Sequence, residues 1–108
     1  VRWTQIGFHR WPGATDRRAY LANRHRHLFH FAATISVTHD DREVEFHDLL
    51  DLVRNCTAGW GEELGGKSCE QMAELILVCV GVAYPARAMS VTVSEDGEVE
   101  ATVSGVLG

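Results

Sequence analysis

Apolar positions along the chain alternate, then recur every three to four residues, then alternate again, a succession that predicts strands, helices and strands in that order. The alternation over 25–38 is the longest. His25, His27, Phe29, Phe31, Ala33, Ile35 and Val37 fall on one face of that strand, and Arg26, Leu28, His30, Ala32, Thr34, Ser36 and Thr38 on the other. The stretch 1–8 alternates more loosely, but its β-branched and aromatic residues predict a strand there too. Pro12 and Gly13 then break regular structure, and the polar segment 14–23 reads as a loop. His39-Asp40-Asp41-Arg42 supplies the turn that ends the second strand.

Phe46, Leu49, Leu50 and Val53 stand at i, i+3, i+4 and i+7, one stripe of a helix from about 45 to 54. The stretch 55–67 contains Gly59, Gly61, Gly65 and Gly66 and has no period, so it reads as a loop. Ser68 with Gln71 forms a capping-box pattern for a second helix, whose stripe is Cys69, Met72, Ala73, Ile76, Leu77 and Val80 and whose end is marked by Gly81 and Pro85. Met89, Val91 and Val93 then alternate with polar neighbours up to Asp96-Gly97, a hairpin signal, and Val99, Ala101 and Val103 form the matching row beyond it. The order is ββααββ. The economical architecture is α+β: a four-stranded antiparallel sheet with two helices packed on one face, in a single domain over 1–108.

A chain of 108 residues has a modest core, which oligomerisation would supplement. The net charge of −5 argues against broad nucleic-acid binding. Arg2, Arg10, Arg17, Arg18, Arg24 and Arg26 nevertheless crowd the first quarter, which suits either a phosphate-bearing small molecule or a solvated basic face. Cys56, Cys69 and Cys79 are odd in number and lack zinc-knuckle spacing, so free thiols in a reducing compartment are expected. No signal-like segment opens the sequence, and the apolar run 75–84 is too short to span a bilayer. A cytoplasmic protein without a membrane partner is the expectation.

The chemistry concentrates at the head of the long alternation. His25 and His27 stand on the core-facing row, where histidines need either a metal or hydrogen bonds to backbone or water. His9 ends the first strand, and a hairpin of the first two strands would bring it to the same place. Three imidazoles with an open fourth position are the ligand set of a catalytic zinc. Glu95 continues the apolar row of Met89, Val91 and Val93, so its carboxylate sits at the edge of the core face. It is either a solvated hairpin residue or a ligand anchor that accepts two parallel N–H bonds from the amidine-like edge of a guanine or pterin ring.

These residues resemble the 6-pyruvoyltetrahydropterin synthase and 6-carboxytetrahydropterin synthase family, whose subunits have the tunnelling fold, or T-fold. The resemblance spans nearly the whole chain. His9-Arg10-Trp11-Pro12 is similar to the family's His-Arg-Leu-Pro, and His25-Arg26-His27 to its His-Gly-His. Val44-Glu45-Phe46 with Leu49 resembles the entry to its first helix, Ser68-Cys69-Glu70 the start of its second, and Val91-Thr92-Val93-Ser94-Glu95 the strand that ends in its pterin-anchoring glutamate. The resemblance implies zinc on His9, His25 and His27, a pterin held by Glu95, lyase chemistry on a reduced pterin triphosphate of the dihydroneopterin triphosphate class, and a homo-oligomer, a hexamer first and a tetramer second.

The family's catalytic cysteine has no counterpart near Leu21, and its Asp-His pair between the helices has none within 55–67. Asp16, His30, His47 or a cysteine would have to supply the base, so the catalytic residues are unassigned. The alternatives to an enzyme are a T-fold module that binds or sequesters a pterin, purine or nucleotide without turnover, and a structural oligomer in which zinc pins two strands.

Overall fold

The longest alternation forms the longest strand. In a computed structural model that describes residues 1–107, β2 (His25–Ile35) runs antiparallel to β1 (Arg2–His9) on one side and to β4 (Ala88–Glu95) on the other. β5 (Val99–Val106) pairs antiparallel with β4 and forms one edge. The hairpin between them turns through Asp96 (φ 56°) and Gly97 (φ 73°), both in the left-handed region as the Asp-Gly signal requires.

Two helices cover one face of this sheet. α1 (Phe46–Ala58) packs on β1 and against α2 (Cys69–Ala83), which covers β4 and β5. Trp3, Phe29, Phe31, Ala33, Met89, Val91 and Val93 from the strands meet Leu49, Val53, Met72, Ile76, Leu77 and Val80 from the helices. The Trp3 and Phe31 rings, cross-strand partners, stack with centroids 5.1 Å apart. At the start of α2 the expected capping box is complete: Ser68 Oγ accepts from the Gln71 N–H, and Gln71 Oε1 from the Ser68 N–H.

The stripe of α1 is rotated from its expected position. Phe46 is 61% exposed, and the buried row is Leu49, Val53 and Thr57. The helix runs four residues past the anticipated end, to Ala58, and Thr57 lies in that extension. Its hydroxyl accepts from the buried Trp3 indole N–H at 3.1 Å, and its carbonyl accepts from the Gln5 amide at 3.0 Å. A threonine satisfying a buried indole leaves no trace in hydrophobic periodicity.

The segment expected as a plain loop also contains β3 (Glu63–Gly65), parallel to the end of β1. The sheet is therefore five-stranded and mixed, in the order β3-β1-β2-β4-β5, and the chain reads ββαβαββ. Gly7 makes the addition possible: a Cβ there would lie 2.6 Å from Leu64 Cδ1, and Leu64 is buried. The Phe8 N–H donates to Glu62 O at 2.7 Å and the Arg10 N–H to Gly65 O at 2.8 Å, so both sides of His9 are fastened. Outside the sheet, Arg24 lies over the Phe8 ring and pairs with Glu63. The polar segment before β2 is not wholly irregular, since Asp16–Ala22 forms a 3₁₀ helix. Among the described residues no helix is long and apolar enough to cross a membrane.

Candidate metal centre

The register of the β1–β2 hairpin decides where the imidazoles go. His9 stands directly opposite His25, and Gly7 opposite His27, so the odd positions of β1 share the helix-covered face with His25 and His27. The ring centroids are 4.6 Å apart for His9 and His25, 5.1 Å for His9 and His27, and 4.9 Å for His25 and His27. One ring nitrogen from each lies within 4.8 Å of the other two, a cluster that can hold a metal ion.

Hydrogen bonds orient all three rings in the same sense. His9 Nδ1 is 3.0 Å from the Lys67 carbonyl, His25 Nδ1 is 2.8 Å from the Asn23 carbonyl, and His27 Nδ1 is 2.7 Å from Asp96 Oδ2. Each partner is an acceptor, so the neutral imidazole keeps its proton on Nδ1 and leaves the Nε2 lone pair bare. His9 Nε2 and His27 Nε2 are buried with no hydrogen-bond partner. Such orphans are costly, and a cation at the centre of the cluster removes the cost. The donor set fits that answer: three neutral imidazoles suit a borderline divalent metal. Burial pushes the His9 imidazole below its ordinary pKa, against the weaker pull of the Lys67 carbonyl and the Glu95 carboxylate, which favours the neutral ligand form.

Glu95 lies beside this cluster. Its Oε1 is 3.4 Å from His9 Nε2 and its Oε2 is 3.4 Å from His27 Nε2, distances too long for good hydrogen bonds. Its neighbour on the helix side is Cys69, the first residue of α2, with Sγ 3.6 Å from Glu95 Oε1. Burial, and then the Glu95 charge, pushes the Cys69 thiol up to about 12, so it remains protonated near neutral pH.

His9, Cys69 and Glu95 open onto a cleft of about 490 Å³ whose walls also include Trp11, Leu21 and Lys67. A larger groove of about 1050 Å³ runs between α2 and β5 but touches none of the histidines, so volume alone would misplace the chemistry. Of the residues considered as a base, only a cysteine, Cys69, reaches the cleft. His30 faces the other side of the sheet between Thr4 and Ser94, His47 pairs with Glu45 at 3.0 Å, and Asp16 begins the 3₁₀ helix.

Sequence reasoning missed the groups that orient the rings. Two are backbone carbonyls, for which no residue type is a signal. The third, Asp96, reads as a turn residue, and only its position directly after Glu95 hints at more. No family model matches the chain, and no match is found among curated proteins.

Proposed function

We propose that this chain binds zinc through His9, His25 and His27 and holds a pterin- or purine-like ring through Glu95, as a relative in function of the pterin synthases it resembles. The observation that carries the reading is the pair of buried, unpartnered Nε2 atoms on His9 and His27, in a cluster whose Nδ1 atoms are all committed elsewhere. Zinc bound there would supply a Lewis acid that polarises an oxygen of the bound molecule.

The chain's own residues supply recognition. Among the described residues no Lys or Arg neutralises the Glu95 carboxylate, and it borders the cleft, which supports a reading in which it accepts two N–H bonds from a ring edge. Arg10 and Lys67 on the same cleft provide positive charge for phosphates. Leu21, which stands where the resembled family has its cysteine, lines this cleft as well. The ligand class is a reduced pterin triphosphate and the implied reaction is lyase-type, with Cys69 the available proton carrier on the wall. The non-catalytic alternative is a module that binds such a ring without turnover.

A second reading is favoured by the 3.4 Å approach of Glu95 to two of the Nε2 atoms: the carboxylate would close the site as a fourth ligand, and the metal would be structural. Metal analysis combined with calorimetric titration separates the two. One zinc per chain in wild type, with a reduced pterin or guanine nucleotide binding more weakly to Glu95→Gln at unchanged zinc content, supports ring recognition. Loss of zinc from Glu95→Gln supports the structural reading, and wild type without zinc after careful purification removes both.

The assembly belongs to the same proposal. β5 presents an unpaired backbone edge with Val99 and Val106 exposed, and such an edge templates further pairing. A closed homo-oligomer, hexameric or else tetrameric, would cover it. A monomer by light scattering at micromolar concentration would remove this part.

A further inference from the structure

We infer that Asp96 is a positioning residue of the metal centre: it selects the imidazole tautomer of His27 and thereby ties the β4–β5 turn to metal binding. The inference rests on the zinc reading above. Asp96 divides its carboxylate between two donors, with Oδ2 at 2.7 Å from His27 Nδ1 and Oδ1 accepting from the Leu28 N–H at 2.9 Å. Its own N–H returns a bond to the Leu28 carbonyl at 2.8 Å. This clasp joins the hairpin tip to the segment of β2 that carries His27. It requires the left-handed backbone of Asp96 (φ 56°), which an aspartate or asparagine tolerates far better than most residues.

The three imidazoles are not held equivalently. His9 and His25 lean on backbone carbonyls, whereas His27 leans on a carboxylate, a stronger acceptor. An acceptor at Nδ1 keeps the proton there and frees Nε2, which is the buried and unpartnered atom. The carboxylate also brings negative charge to a centre whose histidine ligands are neutral.

Asp96→Asn tests the idea because it changes one atom. The Leu28 N–H can only donate, so the amide oxygen must face it and the amide NH₂ must face His27. The imidazole is the adaptable partner. It answers a donor by accepting at Nδ1, which moves its proton to Nε2 and blocks the ligand atom. Asp96→Ala removes the acceptor without adding an opposing donor, but it places an ordinary residue at a positive φ.

Two rank orders therefore cross. Asp96→Ala should melt lower than Asp96→Asn, because the turn suffers more. Zinc affinity, measured on the full chain by competition with a chelating dye, should be no higher in Asp96→Asn than in Asp96→Ala. The expected loss from wild type is about tenfold, the low end of the roughly 10–100-fold cost of removing such partners, because Asp96 is 45% exposed and water can stand in. Nitrogen-15 NMR of the metal-free proteins, at a pH where the imidazoles are neutral, should show His27 protonated at Nδ1 in wild type and shifted toward Nε2 in Asp96→Asn.

A wild type that takes up no zinc overturns this inference together with the reading beneath it. If wild type takes up zinc but Asp96→Asn binds it equally well, or His27 keeps its tautomer, Asp96 is a turn residue only and this inference fails alone. It fails alone, too, if Asp96→Ala is the worse variant in both melting and zinc affinity.

Discussion

Two glutamates of similar burial, Glu43 (13% exposed side chain) and Glu95 (25%), sit in different company. Glu43 accepts from the Thr38 backbone N–H at 3.0 Å, from the Thr38 hydroxyl and from the Arg87 guanidinium, which also reaches the Ser36 carbonyl at 2.9 Å. It fastens the end of β2 to the approach to β4. Those hydrogen bonds, from Thr38 and then Arg87, hold its carboxyl down at about 2. Among the described residues Glu95 has no Lys or Arg partner: the protonated Cys69 thiol donates one long, weak bond to its Oε1, and two bare imidazole nitrogens lie at distances too long to satisfy the rest. A carboxylate whose oxygens are all answered by its own protein is a staple. One with open acceptors beside a cleft and a potential metal site has acceptor capacity for something the chain does not contain.

The largest expected effect falls on the open end. His25→Ala and His27→Ala should each abolish stoichiometric zinc, read by metal analysis of the purified proteins, because either change leaves only two imidazoles. Full occupancy in both variants would mean the ion sits elsewhere.

Exchanging the two carboxylates for amides should separate their roles. Glu95→Gln should lose about 1.5–3 kcal/mol of affinity for a reduced pterin or guanine nucleotide, the value of one charge-assisted bond, with little change in melting temperature. Glu43→Gln should do the reverse, lowering the melting temperature and leaving ligand binding untouched. Equal melting losses in the two variants would erase the contrast.

The smallest effect is a matter of pH. The folded pKa of Glu43 is depressed, so its contribution is fully present above the ordinary carboxylate value near 4.5 and is lost as the pH falls toward about 2. The acid limb of the stability curve of wild type should therefore be steeper in that window than that of Glu43→Gln. Parallel limbs would show that the Arg87 and Thr38 contacts do not persist in solution.

What was legible in the sequence followed periodicity. The row beginning at His25, the facing residues of α2, the Ser68–Gln71 cap and the Asp-Gly hairpin are set by local rules of spacing and turn chemistry and form as expected, except that β2 stops at Ile35, three residues short of the expected end, and leaves Val37 exposed. The approach of His9 to His25 needed only the register of one hairpin. What escaped depends on partners far along the chain. β3 has a single apolar residue, Leu64, and forms because Gly7, 57 positions earlier, leaves it room. Thr57 is buried because Trp3 requires an acceptor. Phe46 departs from the expected buried stripe because periodicity gives the spacing of a helical stripe without saying which edge the sheet covers. Asp96 carries a turn signal so strong that its second task, 69 residues from His27, is invisible beside it.

The three imidazoles all lie within the first 27 residues, on adjoining strands, while two of the groups that orient them, the Lys67 carbonyl and the Asp96 carboxylate, come much later. During synthesis the nascent chain would thus present a full set of nitrogen ligands long before the His9 and His27 rings are aimed. If the chain takes up an ion as proposed, one met at that stage would find His9 and His27 free to choose their tautomers, and one met after release would find all three rings oriented. Capture by the growing chain and capture by the finished one would therefore be different chemical events, the second the more selective, and the 69 residues separating His27 from Asp96 would set the interval between them.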